Sequence, residues 1–77
     1  MRPSVLIIDD DPTFCLMLKS FLSKTDFATE TAFSGAEAIN QVKNNNFDIV
    51  LSDFRLPDTD GLELLENIRE IKPGTPV

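Results

Sequence analysis

Three consecutive aspartates, Asp9-Asp10-Asp11, end the apolar run Val5-Leu6-Ile7-Ile8, and a fourth, Asp53, ends the run Ile49-Val50-Leu51-Ser52. Carboxylates gathered in one place repel each other. Two unit charges about 4 Å apart cost around 4 kcal/mol at an effective dielectric near 20. Such a group persists when a cation or a proton enters it, or when it stays well solvated. Hard oxygen donors in a partial cage suit Mg²⁺, which keeps several waters and shares its sphere with phosphate. A carboxylate in that setting can also act as a nucleophile and form an aspartyl phosphate. The chain has no histidine and a single cysteine, Cys15. Histidine catalysis, histidine metal ligands and a disulfide framework are therefore excluded, and a reducing compartment is the simpler setting.

The acidic residues converge only if the elements before them are neighbours. A short apolar run bounded by turn signals reads as a buried strand, and a helix after it suggests a parallel sheet. In open parallel sheets the chemistry lies beyond the carboxyl ends of the strands, where Asp9, Asp10 and Asp53 all stand. Ser4–Ile8, apolar almost throughout, predicts a first strand buried on both faces. Asp11-Pro12 is a helix start, a cap followed by proline at the first helical position. Phe14, Met17, Leu18, Phe21 and Leu22 then recur at helical spacing, predicting one apolar stripe on a helix over Pro12–Lys24. Residues 27–32 mix polar and apolar types, as a sheet-edge strand does.

Ser34 with Glu37, and Asp60 with Glu63, are capping boxes for helices beginning at Gly35 and Gly61. The first of these should bury Ala38, Ile39 and Val42. The second, ending at Ile71, should bury Leu62, Leu65 and Ile68, with Leu64 and Ile71 beside them. Between them, residues 48–52 predict a third strand. The order is β-α-β-α-β-α, an α/β parallel layout. Asp58 reads as a turn former, Cys15 as plain packing and the phenylalanines as core. Pro57 sets the path of the loop. Asp58 and Asp60 also invite a calcium-loop reading, which fails because the first and last loop positions fall on Leu56 and Asn67.

Of the 77 residues 42% are hydrophobic and 26% charged, which fits one small globular domain. The net charge of -6 and the scatter of the basic residues argue against nucleic-acid binding, which needs a basic patch. No apolar run approaches the ~18–20 residues of a membrane-spanning helix, and no signal peptide is visible. A cytoplasmic location is expected.

With these residues in hand, the chain resembles the receiver domain of two-component response regulators. VLIIDDDP is similar to their first strand and acidic pair, LSDFRLPDTDG to their phosphoacceptor segment, and TPV to the opening of their fourth strand. The resemblance implies a flavodoxin-like (CheY-like) fold with strand order 2-1-3 in this stretch. It further implies that residues 1–77 are the N-terminal part of a single receiver domain, with the fourth and fifth strands and their helices absent. By the same resemblance Asp53 is the phosphoacceptor, Asp10 a direct Mg²⁺ ligand, and Asp9 a ligand acting mainly through water. The backbone carbonyl of Arg55 completes the protein's share of the metal sphere. The expected donor is a histidine kinase or a small acyl phosphate, and the expected output a process such as transcription.

The module would thus be a signalling part and not an enzyme. The family's phosphoryl-contacting Ser/Thr and Lys fall beyond Val77. With no fourth strand, the outer edge of the third invites self-association. Two other functions are compatible with parts of the pattern. Asp9-x-Asp11-x-Thr13 also resembles the nucleophile motif of haloacid-dehalogenase-type phosphatases, with Asp9 as nucleophile and Asp11 as acid/base. A receiver-like interaction module that takes no phosphate is the other.

Overall fold

The computed structural model describes residues 2–53 and 55–74. The order is β1 (Ser4–Ile8), α1 (Pro12–Lys24), β2 (Ala28–Ala32), α2 (Gly35–Asn44), β3 (Ile49–Ser52) and α3 (Gly61–Ile71). The three strands form one parallel sheet in the order β2-β1-β3, as expected. β1 is central, and its Val5, Leu6, Ile7 and Ile8 are buried on both faces.

Each helix starts where its cap residue dictates. Asp11 accepts hydrogen bonds from the amides of Thr13 and Phe14, at 3.0 and 3.3 Å, and so satisfies donors the first turn of α1 cannot use. Ser34 accepts from the Glu37 amide at 3.2 Å, while the Glu37 carboxylate reaches back to the Phe33 amide at 2.6 Å. Asp60 accepts from the Glu63 amide at 2.8 Å. At the other end of the sheet the Asp48 carboxylate accepts from the Ser4 amide at 2.7 Å, and the Asp48 amide donates to the Ser4 carbonyl at 2.9 Å. That exchange fixes the register with which β3 enters beside β1.

The sheet separates two packed regions. On one face Leu6, Ile8, Ala32 and Val50 meet Ala38 and Val42 of α2, Leu64 and Ile68 of α3, and Phe47. On the other Val5 and Ile7 meet Cys15, with Leu18, Leu22 and Phe27 packed around them. Three expectations about burial are corrected here. In α3, Leu64 and Ile68 are the buried pair and Leu62 is 62% exposed, because the helix turns its i, i+4 row toward Leu6 and Val50. In α1 the residues facing the sheet are Cys15, Leu18 and Leu22. Phe14, Met17 and Phe21 of the expected stripe stay exposed, the last two at 66% and 63%. The apolar surface of α1 is wider than the strip of sheet beneath it. Of the described phenylalanines only Phe47 is buried and Phe27 partly so, whereas Phe14, Phe21 and Phe33 are exposed. Phe54 and residues 75–77, to which a core role and the opening of a fourth strand were assigned, lie outside the described residues.

β3 is covered on one side only. Its Val50 is fully buried, while Ile49 and Leu51 remain 39% and 43% exposed. They are the register partners of Val5 and Ile7, so they face the α1 layer, at the rim where α1 no longer reaches.

Candidate functional site

In-register pairing builds the site. Ile8 is the partner of Ser52, so the residues that follow them, Asp9 and Asp53, leave the sheet side by side. Neighbouring strands lie about 4.8 Å apart, and each exit is fixed by a backbone bond. The Asp53 amide donates to the Ile8 carbonyl at 2.8 Å, and the Asp9 amide donates to the Ala32 carbonyl at 3.0 Å. Asp9, Asp10 and Asp53 each bring a carboxylate oxygen within 4.8 Å of the other two. Asp9 and Asp53 are half-buried and Asp10 is exposed.

The neighbours of the cluster define its shape. One Asp9 carboxylate oxygen accepts from the Asp11 amide at 3.0 Å, which bends the chain out of β1 and into α1. Asp11 itself is occupied as the α1 cap and does not point into the cluster, so the acid/base partner that a phosphatase reading needs is committed elsewhere. Cys15 lies beneath, its thiol donating to the Asp9 carbonyl at 3.4 Å. Burial pushes the thiol's pKa up, and the negative charges of Asp9 and Asp11 push it further. Both effects favour the protonated thiol, and Cys15 packs in the core beneath the site. Between α1 and β3 a groove of about 310 Å³ runs up to the acidic residues, walled by Phe14, Leu18 and Leu51 and rimmed by Asp9 and Asp53.

The loop after Asp53 is fixed at several points. Arg55 pairs with Asp60 in an antiparallel bridge, and the Leu56 amide donates to the Thr59 carbonyl at 3.1 Å to close a turn around Pro57 and Asp58. Asp58 is the residue whose part the sequence concealed. Its carboxylate accepts from the amides of Gly35 and Ala36, at 2.8 and 3.0 Å, at the start of α2. These two donors hold its pKa below the ordinary aspartate range. No local pattern signals a cap supplied from 23 residues away; the one hint is the glycine at the first position of α2. A Cβ on Gly35 would lie 2.5 Å from Thr59 Cγ2 and 3.1 Å from Asp58 Oδ1.

An all-oxygen donor set selects a hard divalent cation. Opposite vertices of an octahedron with bonds of 2.0–2.1 Å are about 4 Å apart, so oxygens within 4.8 Å of each other close on such an ion through small side-chain rotations. The three carboxylates thus fit a resident cation. No helix among the described residues is long and apolar enough to cross a membrane.

Comparison with known proteins agrees with this geometry. Residues 5–77 match the family model described as the response regulator receiver domain. The transcriptional regulatory protein ZraR of Salmonella typhimurium is 34% identical over 73 residues, which are 95% of this chain and 17% of that protein. A CheY-like receiver domain protein from Methanospirillum hungatei superposes with a TM-score of 0.94 at 32% identity, over 97% of this chain and 60% of that one. The response regulator TrrA from Thermotoga maritima, solved in complex with Mg(2+)-BeF, superposes with a TM-score of 0.86 at 32% identity, over 92% of this chain and 62% of that one. The chain spans about a sixth of the length of ZraR and three-fifths of the M. hungatei receiver. With its 2-1-3 parallel sheet and its acidic strand ends, the chain belongs to the response regulator receiver domain family of two-component signalling systems.

Proposed function

We propose that Asp53 is a phosphoacceptor, taking a phosphoryl group from a histidine kinase or a small acyl phosphate with Mg²⁺ bound beside it. The observation that carries this is the convergence of Asp9, Asp10 and Asp53 at the ends of two paired strands. Asp10 and Asp53 would hold the ion directly and Asp9 mainly through water, with the Arg55 carbonyl as a further ligand. The solved relative in complex with Mg(2+)-BeF supports the choice of cation. When bound, the ion offsets charge that develops on the transferring phosphoryl oxygens. The chain's own residues do the rest. An Asp53 carboxylate oxygen attacks phosphorus in line, the bond from phosphorus to the donor's nitrogen or oxygen breaks, and the donor leaves with that bond's electron pair. The Ile8 carbonyl, accepting from the Asp53 amide, fixes the backbone that carries the attacking carboxylate.

The relatives that are transcriptional regulators support control of transcription as the output of a longer protein. Self-association through the outer edge of β3 is proposed as well, supported by the exposed Ile49 and Leu51. Mapping the modified residue after exposure of the chain to a small acyl phosphate and Mg²⁺ tests the reading. Phosphate on Asp53 supports it, and phosphate on Asp9 would establish the phosphatase-type nucleophile instead.

A further inference from the structure

We infer that Asp58 is a positioning residue for the cation site, acting through a clamp between the turn of residues 55–60 and the start of α2; the inference rests on the Mg²⁺ reading above. The Asp58 carboxylate grips two consecutive amides, those of Gly35 and Ala36, one with each oxygen. The grip is specific in shape. Gly35 is buried, and the space its missing Cβ would fill is taken by Thr59 and Asp58 themselves, so loop and helix meet backbone to side chain with no room to spare.

The clamp closes a circuit around Arg55. On one side the chain is held where the Asp53 amide meets the Ile8 carbonyl, and on the other where Leu56 and Thr59 close the turn that carries Asp58. The Arg55–Asp60 bridge spans the interval. Releasing Asp58 frees the turn from α2 and lets the stretch that presents the Arg55 carbonyl drift. Groups hydrogen-bonded to a metal's ligands typically change its affinity by about 10- to 100-fold when removed, and Asp58, one step further out, belongs at the low end of that range.

Two substitutions attack the clamp from opposite sides. Asp58→Ala removes the acceptor, and Gly35→Ala inserts a methyl group where Thr59 stands. Asp58→Asn retains one acceptor oxygen and loses the charge. Mg²⁺ is titrated into the isotope-labelled chain, and the amide shifts of Asp9, Asp10 and Asp53 give the Kd, with a thermal melt run in parallel. Asp58→Ala and Gly35→Ala should each raise the Kd about tenfold, with Asp58→Asn in between. A purely structural role would lower the Tm and leave the Kd of the folded chain unchanged, and that result overturns the inference. If Asp58→Ala does not fold, a wild-type Kd in Asp58→Asn and Gly35→Ala overturns it equally. A wild-type chain whose shifts ignore Mg²⁺ sinks the site reading itself and this inference with it, and that failure shows before any variant is compared.

Discussion

Asp53 and Asp9 owe their proximity to backbone pairing, whereas Asp58 and Asp11 owe their places to backbone donors that need an acceptor. All four are aspartates in loops, and what separates them is the donor each finds. Asp11 finds the amides of its own helix, as Asp-Pro before an apolar stripe announces. The convergence of Asp9, Asp10 and Asp53 was legible because Asp9-Asp10 and Asp53 close two apolar runs, and strand ends gather chemistry in parallel sheets. Asp58 was not legible, because its partners, Gly35 and Ala36, are distant in sequence and meet it only in the fold. Its titration gives a direct check. A carboxyl whose folded pKa is depressed adds stability that is complete above the unfolded value and disappears as pH falls through the folded one. The Asp58 side-chain carbonyl signal should therefore titrate with a midpoint below the ordinary value of 3.8, and in Asp58→Asn that contribution should be missing at every pH. A midpoint at or above 3.8 would contradict the clamp.

At the scale of elements, capping chemistry and apolar periodicity carried the layout, and α1, α2 and α3 begin and end where their sequences indicate. What periodicity left open is which strip of an apolar helix faces inward. Leu62, Leu64, Leu65, Ile68 and Ile71 span about half the circumference of α3, so the pattern leaves open which part of that arc faces inward. The sheet selects Leu64 and Ile68, because Leu6 and Val50 offer the matching surface. The difference is measurable. Leu64→Ala should destabilise the chain by about 2–5 kcal/mol, the range for emptying a packed site. Leu62→Ala should stay within about 0.5 kcal/mol, as exposed positions do. Chemical denaturation followed by circular dichroism measures both, since the chain has no Trp or Tyr. Equal losses at the two positions would mean the helix face has been misassigned.

On the scale of the molecule, one face of the sheet is well covered and the other is not. Val5 and Ile7 pack under α1, but Ile49 and Leu51 at the rim and Phe14, Met17 and Phe21 on the helix are left facing water. Phe14 and Leu51 line one groove, and among the described residues β3 is an edge strand whose outer backbone groups can pair with another strand. Sequence periodicity put the α1 residues in the core because a stripe says that a helix face is apolar, not how much sheet lies beneath it. Sedimentation velocity across a range of concentrations should show association of the 77-residue chain. Leu51→Lys, placing a charge on the edge, should shift it to monomer. A wild-type chain that stays monomeric at every concentration would remove the self-association proposal.

Intact mass spectrometry after incubation with a small acyl phosphate tests the central claim, that the acidic strand ends form a Mg²⁺-dependent phosphoacceptor site. The expected result is a gain of one phosphoryl group by the wild-type chain with Mg²⁺, and none when Mg²⁺ is chelated or when Asp53→Asn replaces the nucleophile. An unmodified wild-type chain, or an Asp53→Asn chain that still gains the group, would contradict it.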